Sequence, residues 1–309
     1  MTDLSAAHDA AVTDRARLAG SAYNGDRDLA ARQSLYQWQT PRYDLPGLVA
    51  ERLGDVRGRV VDIGCGNGKF IQRLRQDRPD LSLLGLDIAP GILAGVPGPV
   101  AVADATRLPL AEGSVDAALA LHMLYHVPEI PQAVRELARV VARDGLVVVS
   151  TNSDRDKAEL DDLWQRAAGD VLGVERGPAR ISLSARFSLE KAPAFLGEEF
   201  SRVEVVELPG TITVYDPEPV IAHMASYRAW ADQHDVPFDA TIDRARTLVA
   251  DHIARHGAYE ITCLGGILVC RRLDHACGGQ GPVSRRRASS TIESARGFRA
   301  LRGTAAPSL

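Results

Sequence analysis

Residues 62–68 read Asp62-Ile63-Gly64-Cys65-Gly66-Asn67-Gly68, and they decide the fold of this chain. They follow the apolar run Arg59-Val60-Val61 and lead into residues 69–74, whose apolar spacing predicts a helix. A strand that turns through three alternating glycines into a helix brings bare backbone and a positive helix N-terminus against a ligand. Dinucleotide-binding folds use this geometry, but their fingerprint needs glycine where Lys69 stands. The pattern here is instead Asp-x-Gly-x-Gly-x-Gly.

Further apolar segments after the glycine turn predict the rest of a parallel sheet. Leu81–Asp87 is a second strand that ends in a carboxylate about 20 residues past the glycines, where an acid is placed to accept from both hydroxyls of a ribose. Val100–Ala105 predicts a third strand, and Ser114–Leu121 predicts a fourth that runs into two histidines. An amphipathic helix follows and stops at Asp144-Gly145, before a fifth strand at Leu146–Thr151.

This series of motifs over residues 55–152 resembles the class I S-adenosylmethionine (SAM) methyltransferases of the UbiE-like, small-molecule type. The resemblance implies an α/β fold with a Rossmann-like, mostly parallel sheet of seven strands in the order 3-2-1-4-5-7-6, the seventh antiparallel. The sequence supplies candidates for the last two strands at residues 203–208, extended by 211–215, and at residues 259–270.

The resemblance also implies SAM as cofactor, S-adenosylhomocysteine (SAH) as product, and a set of contacts to them. Asp62 resembles the acid that helps to hold the amino group, Asp87 the acid on the ribose, and Asp104 the acid on the adenine amino group. Each acid has a role as a helix or turn cap as its alternative, but their joint spacing favours the cofactor. The residues implied for the cofactor site are Asp62, Gly64, Cys65, Gly66, Asn67, Gly68, Asp87, Ile88, Asp104, Ala105, Leu121 and His122.

Methyl transfer from a sulfonium mainly needs alignment, exclusion of water and removal of any proton on the nucleophile. His126 is a candidate base, because a neutral imidazole takes up a proton near neutral pH, although such a histidine is also common in this segment of the family. Tyr36 is a second catalytic candidate, with docking of its helix on the sheet as the alternative. Gln39, in the same helix, could likewise meet the methionine end of SAM or the substrate. Further lid candidates, for which packing or surface roles are favoured, are Tyr23, Tyr215, His223 and Tyr227.

The segments outside the cofactor half are expected to cover a substrate. Residues 1–54 predict an N-terminal helical lid, and residues 55–272 predict the SAM-binding domain, with a substrate cap formed by 154–185 and 217–256. In open α/β sheets, ligands bind at the carboxyl ends of the strands, toward which this extra chain would fold. Residues 273–309 lack apolar periodicity and predict a disordered tail, whose arginines at 285–287 favour a solvated segment over a contact with RNA or membrane.

Composition narrows the class of protein. The 309 residues suffice for one large α/β domain, and a net charge of −4 does not favour a nucleic-acid partner. Apolar runs fall short of the ~20 residues that span a bilayer, and the N-terminus lacks a signal-peptide pattern. Cys65, Cys263, Cys270 and Cys277 show no pairing that indicates zinc or disulfides. These features predict a cytoplasmic protein without membrane association or bound metal, and a homodimer stays open. The scarcity of lysine beside abundant arginine and alanine indicates a GC-rich bacterial genome.

The favoured hypothesis is an enzyme that transfers methyl from SAM to a small organic acceptor at oxygen, nitrogen or activated carbon, in the biosynthesis of a specialised, secondary metabolite. Methylation of tRNA or of a protein is an alternative, which the missing basic face and the missing Asn/Asp-Pro-Pro-Tyr motif disfavour. A SAM-binding protein without catalysis is another, disfavoured because such a scaffold has no need of intact glycines and acids.

Overall fold

One mixed sheet forms the centre of the protein, and its register is set by long apolar strands. The computed structural model describes residues 2–233, 235–272 and 283–287. The strands of the sheet are β1 Gln39–Thr40, β2 Gly58–Ile63, β3 Leu81–Asp87, β4 Val100–Val102, β5 Val115–Leu121, β6 Val141–Asn152, β7 Arg202–Val214, β8 Tyr259–Arg271 and β9 Ser284–Arg287. Their order is β1-β7-β8-β6-β5-β2-β3-β4, and β9 also pairs with β7.

The order of the seven main strands confirms the predicted topology. Read from β4, it runs β4-β3-β2-β5-β6-β8-β7, which is 3-2-1-4-5-7-6 in the numbering of the sequence prediction. The pairs among β4, β3, β2, β5 and β6 are parallel, whereas β8 is antiparallel to both of its neighbours. Ala117–Leu119 of β5 is completely buried, as expected for a central parallel strand covered on both faces.

Two short strands at the edge of β7 depart from the sequence predictions. Gln39 and Thr40, expected in a helix, instead pair antiparallel with Ile212 and Thr211. Ser284–Arg287 pairs parallel with β7, although disorder was predicted for 273–309, and Arg285 lies 3.4 Å from Glu207. Both strands supply hydrogen-bond partners to an otherwise free sheet edge. The rest of that predicted tail, 273–282 and 288–309, lies outside the described residues.

The helices cover both faces of the sheet and the carboxyl ends of its strands. They are α1 Thr2–Thr13, α2 Arg15–Arg17, α3 Arg27–Ser34, α4 Leu45–Leu53, α5 Lys69–Asp77, α6 Pro90–Leu93, α7 Ile130–Val140, α8 Ala158–Leu172, α9 Ala192–Leu196, α10 Glu218–Ala225 and α11 Phe238–His256. Helix α7 ends at Val140 rather than at Asp144, because the chain already joins the sheet at Val141, opposite Val115. Within the described ranges, no helix combines the length and apolarity needed to cross a membrane.

Three apolar clusters organise the packing and leave a space between them. The two larger clusters lie on the faces of the sheet, one around α7 and the other around α4 and α5. The third joins α8, α10 and α11 with the ends of β7 and β8, with Trp164, Met224 and Ile242 among its buried members. We call this third unit the cap. Because it packs around its own core, it forms a separate wall beside the strand ends.

Candidate active site

The glycine turn after β2 has the backbone conformation that its sequence predicts. Gly64, Gly66 and Gly68 all have positive φ, at 68°, 53° and 73°, where side chains are strained. A Cβ at Gly64 would lie 2.7 Å from Cβ of Met123, so the turn is also closely packed from outside. Gly68 begins α5 and faces Val96 rather than the cavity. The turn therefore presents backbone to the cavity at Gly64 and Gly66, whereas Gly68 shapes the entry into the helix.

Asp87 ends β3 and is held beside that turn by the backbone. Its Oδ2 accepts from the N–H of Gly66 at 2.9 Å, and its Oδ1 accepts from the N–H of Ala89 at 2.9 Å. Burial raises its pKa, while these backbone donors oppose the increase. The carboxylate is thus fixed in orientation at the cavity wall, with further lone pairs for a ligand hydroxyl.

Asp62 is an acid without a partner in the part of the chain that the structure describes. It is 3% exposed, and neither carboxylate oxygen has a hydrogen bond. Burial, followed by the charge of Asp87, raises its pKa to about 8. A buried carboxylate without donors is costly, whereas an ammonium group would satisfy it. The site therefore fits the amino group of a SAM-like molecule.

A cavity of about 250 Å³ connects this wall to the N-terminal helices and the cap. The residues predicted for the site that line it are Tyr36, Asp62, Gly64, Cys65, Gly66, Asn67, Asp87, Ile88, Asp104, Ala105, Leu121, His122 and His126. Tyr23, His223 and Tyr227 also reach the cavity. Tyr215 does not, since it is 67% exposed. Gln39 is drawn away by the pairing of β1 and packs against Gly210.

Helix α3 lies across the glycine turn. The Cβ that Gly66 lacks would be 3.1 Å from Cδ2 of Leu29, and the Nδ2 of Asn67 donates to Gln33 at 3.4 Å. Asn67 Nδ2 also donates to Asp26, immediately before the helix, at 2.7 Å. These contacts close the turn from the side of the N-terminal segment.

Asp104 lies in the same wall but is already engaged. Its Oδ1 accepts from the N–H and from the hydroxyl of Thr106, at 2.9 and 2.8 Å. Its Oδ2 pairs with Arg15, which also lines the cavity. A ligand amino group would have to share the Asp104 carboxylate with Arg15 and with the N–H and hydroxyl of Thr106.

His126 and Tyr23 form a hydrogen-bonded pair in the cavity. Nδ1 of His126 lies 3.0 Å from the carbonyl oxygen of Val12, which only accepts, so Nδ1 carries the ring proton. Nε2 then accepts from the Tyr23 hydroxyl at 2.7 Å. Burial lowers the pKa of His126 to about 4, so the ring is neutral near pH 7. The arrangement makes His126 an acceptor for the proton of Tyr23.

His122 takes a different role from His126. It has φ of 54°, in the left-handed region, and its N–H donates to the carbonyl of Ser150 at 3.0 Å. Burial and the nearby charge of Lys157 lower its pKa to about 4. A strained residue at a strand end is typical of functional sites, and here it turns the chain along the cavity wall.

Tyr36 is tied to a lysine that the sequence analysis did not select. Nζ of Lys157 lies 2.8 Å from the Tyr36 hydroxyl and 2.5 Å from Oδ2 of Asp156. Burial raises the pKa of Tyr36, so the hydroxyl stays protonated. Lys157 follows β6 with φ of 60°. The available signal was its rarity, since it is one of few lysines in an arginine-rich chain.

Two arginines of the cavity wall also escaped the sequence analysis. Arg32 comes from α3, and Arg180 comes from the connection after α8. Arg180 pairs with Asp161 at 2.9 Å, and Arg32 donates to the carbonyl of Ser226 at 3.0 Å. No local motif marks either residue, because their convergence depends on the packing of the cap.

Comparisons with known proteins agree with this geometry. A family model described as a methyltransferase domain matches residues 61–149. The malonyl-[acyl-carrier protein] O-methyltransferase of Methylococcus capsulatus (strain ATCC 33009 / NCIMB 11132 / Bath) is 33% identical over 125 residues, covering 38% of this chain and 46% of that protein. The tRNA (carboxymethyluridine(34)-5-O)-methyltransferase of Arabidopsis thaliana is 29% identical over 147 residues, covering 43% of this chain and 35% of that protein. The chain thus spans less than half the length of either relative.

A solved structure shares the fold. It is described as a methyltransferase from an antibiotic biosynthesis pathway of Anabaena variabilis ATCC 29413, with a TM-score of 0.55 and 18% identity over 74% of this chain and 96% of that one. The matched family residues run from β2 to β6, and thus contain the glycine turn and the strand that ends at Asp87. Residues 61–149 therefore match a methyltransferase domain, and the sheet has the strand order expected of the class I SAM-dependent methyltransferases.

Proposed function

We propose that this protein transfers a methyl group from SAM to a small organic acceptor. The proposal rests on one observation, which is that two different walls meet in one cavity. One wall is the glycine turn with Asp62 and Asp87, and the other holds the Tyr23–His126 pair and the cap. The meeting of two such walls would bring a cofactor and an acceptor next to each other and exclude water between them, which is what methyl transfer requires.

The residues of the first wall would hold SAM, which supplies an electrophilic methyl group on a sulfonium when it is bound. Asp62 would receive the amino group, because its two oxygens are buried and have no donor among the described residues. Asp87 would receive the ribose hydroxyls, because its backbone contacts fix it beside Gly66. Asp104 and Ala105 would lie along the adenine, and the backbone at Leu121 and His122 along the methionine side.

The Tyr23–His126 pair would remove a proton from an acceptor O–H or N–H. The proton passes to the hydroxyl oxygen of Tyr23, while the proton of Tyr23 passes to Nε2 of His126. The guanidinium of Arg32, 5.1 Å from the centre of the Tyr23 ring, stabilises negative charge that develops on the phenol. His126 is thereby the proton acceptor that the sequence suggested, acting through Tyr23. Tyr36 would position the acceptor through its bond to Lys157 rather than act as a base.

A small acceptor fits this site better than a nucleic acid. Besides the strand ends, residues of α3, Ser182–Ser184 and the α10 region line the cavity. The Arabidopsis thaliana relative is named for a tRNA substrate, and its similarity extends over only 43% of this chain. We place the acceptor among bacterial specialised metabolites made in the cytoplasm, because the acceptor wall is built by the cap and by N-terminal segments outside the matched domain.

The direct test is a binding titration followed by a transfer assay. We expect SAM and SAH to bind once per chain, with dissociation constants in the micromolar range, and NAD not to bind. Transfer of the labelled methyl group from SAM to a panel of hydroxy, amino and carbon acceptors, with bulk tRNA as a parallel arm, then identifies the acceptor class. Absence of SAH binding, or transfer to tRNA alone, would contradict the proposal.

Replacement of Gly66 by valine is expected to remove most SAH affinity without unfolding the sheet. The valine side chain would enter the cavity beside Leu29, and its left-handed backbone would cost about 1–2 kcal/mol. Gly173→Val is the matched control, since Gly173 also has positive φ, at 71°, but nothing lies within 4 Å of its added Cβ. Calorimetry should show comparable loss of stability in both variants and loss of SAH affinity in Gly66→Val alone. Equal SAH affinity in both would remove the turn from the site.

Binding of SAH is expected to release close to one proton per chain at pH 6.5. Asp62 has a pKa of about 8 and therefore holds a proton in the ligand-free protein, whereas an ammonium partner favours the ionised form. Titration calorimetry in buffers of different ionisation enthalpy measures this release. A binding enthalpy that does not depend on the buffer would show that Asp62 does not receive the amino group.

A further inference from the structure

The cap side of the cavity contains guanidinium groups with unused donors. Nη2 of Arg32 and Nη1 of Arg180 are both buried, and neither has a hydrogen-bond partner among the described residues. Arg32 is 8% exposed, and the side chain of Arg180 is also 8% exposed. Buried donors of charged groups are rarely left unpaired, because their desolvation is costly.

The charge of Arg32 is not balanced by the protein around it. Its Nη1 donates to the carbonyl of Ser226, and its guanidinium otherwise faces the rings of Tyr23, Tyr227 and Trp230 at 5.1, 5.6 and 5.8 Å. In the described ranges, no carboxylate lies within ion-pair distance of it. Aromatic faces attract a cation but do not neutralise it. A buried guanidinium of this kind is stabilised when an anion arrives.

Arg180 contacts the ring of Tyr227, as Arg32 does. Its Cζ lies 5.1 Å from the centre of the Tyr227 ring, so the two guanidinium groups share one aromatic contact. Asp161 pairs with Nε and Nη2 of Arg180, the side chain of Tyr227 also interacts with the guanidinium, and Nη1 has no hydrogen bond among the described residues. His223 lies buried next to Tyr227, and neither of its ring nitrogens has a hydrogen bond within the described part of the chain. The unused donors of Arg32 and Arg180 therefore come from different segments of the chain, and both guanidinium groups lie beside the ring of Tyr227.

Different residues of helix α3 contact the glycine turn and the cap. Leu29 and Gln33 occupy one stripe of α3 and contact Gly66 and Asn67. Arg32 lies on the neighbouring stripe and points to the cap, where it meets Ser226. Helix α3 therefore contacts the glycine turn through Leu29 and Gln33 and the cap through Arg32.

We infer that the acceptor carries a carboxylate or phosphate group, which Arg32 and Arg180 bind through their free donors. This inference rests on the proposed function, since it concerns the second ligand of the same cavity. Guanidinium groups bind such anions through charge-assisted, often paired hydrogen bonds. The anion would balance the charge of Arg32 and would lie close to Tyr23, so the methylated atom and the anionic group must be near each other on the acceptor.

The test uses simple anions on the full chain saturated with SAH. The probes are benzoate and phenyl phosphate, with benzamide as the neutral counterpart, and binding is followed by calorimetry and by the shift in Tm. We expect one or both anions to bind and benzamide not to bind. The preferred anion distinguishes a carboxylate acceptor from a phosphorylated one.

Three variants assign the binding to the two arginines. Arg32→Gln keeps a donor for the carbonyl of Ser226 and should weaken anion binding at least about tenfold, the effect of losing a charge-assisted hydrogen bond. Arg180→Gln should do the same, whereas Arg166→Gln, an exposed arginine on α8, should have no effect. SAH affinity should change less than threefold in all three variants.

Two results would overturn the inference. One is equal binding of benzamide and the anions. The other is a tenfold loss of SAH affinity in Arg32→Gln together with no anion binding to the wild type, which would assign the guanidiniums to the carboxylate of the cofactor. Failure of the proposed function is distinct, because it appears in the wild type as missing SAH binding. The anion titrations are therefore repeated on the protein without SAH, and anion binding lost in Arg32→Gln there would still support the two arginines.

Discussion

Replacement of Asp62 by asparagine is expected to weaken SAH binding by about 3 kcal/mol, more than a hundredfold, at pH 8. The physical reason is that the ammonium group of the ligand loses the buried carboxylate that would pair with it, in a position where water does not replace it. Asp62 is 3% exposed, so the ligand would bury an unpaired charge. Titration calorimetry measures the change.

The same substitution should stabilise the protein without ligand at alkaline pH. Burial raises the pKa of Asp62 to about 8 in the folded state, above its ordinary value in the unfolded chain. The folded state therefore binds the extra proton, and stability is lost as pH rises toward and through 8. Asparagine does not ionise, so the variant should lose less stability between pH 5 and pH 9. Its Tm should exceed that of the wild type at pH 9 and be similar at pH 5.

Asp116→Asn is the matched control for this experiment. Asp116 lies near the start of β5, where its Oδ2 accepts from the N–H of Arg59 at 2.7 Å, at the other end of the sheet from the cavity. Its replacement should leave SAH affinity unchanged. If Asp62→Asn binds SAH as tightly as the wild type, the buried carboxylate has a structural role and the cofactor lies elsewhere.

The sheet order was predictable because its signals are local. The glycine turn, the acid at Asp87 and the apolar run of β5 each lie within a few consecutive residues, and the family resemblance supplied their order. The edge strands β1 and β9 were not predictable, because they form only where β7 offers a free edge. Gln39 illustrates this, since it was expected at the end of an N-terminal helix, whereas pairing with Ile212 extends the chain.

The residues of the site also fall into those that the sequence could predict and those that it could not. Asp62 and Asp87 could be selected from the sequence, because strand ends after apolar runs meet at one edge of a parallel sheet. Arg32, Lys157 and Arg180 were missed because they come from separate segments that meet only through the packed cap. Tyr215 was selected for its residue type and its place outside the cofactor half, yet it is exposed, since neither property specifies which side of a strand end faces inward.

The unbalanced groups on the two sides of the cavity have opposite signs. Among the described residues, Asp62 lacks a cation once it is ionised and Arg32 lacks an anion, and both are buried. Each group lowers the stability of the ligand-free protein and each is satisfied by the ligand we assign to its side. Ligand binding is therefore expected to raise the Tm in two separate increments, one for SAH and one for the anion, by linkage.

Replacement of Tyr23 by phenylalanine is expected to lower kcat roughly 100- to 10,000-fold for an acceptor with an O–H or N–H nucleophile. Phenylalanine keeps the ring that packs against Arg32 but removes the oxygen that contacts Nε2 of His126. His126→Ala should have a comparable effect. Tyr43→Phe is the matched control, because the Tyr43 hydroxyl donates to the carbonyl of Pro209 outside the cavity.

The double variant tests whether Tyr23 and His126 act as one unit. If the proton of the acceptor passes through both, Tyr23→Phe with His126→Ala should be about as slow as either single variant, because each substitution already breaks the relay. SAH affinity should stay within a few-fold of the wild type. The pH profile gives a further check, since protonation of His126, whose pKa burial lowers to about 4, should reduce the rate only below about pH 5. Additive losses, or an unchanged rate in Tyr23→Phe, would exclude the relay and leave alignment alone as the contribution of this wall.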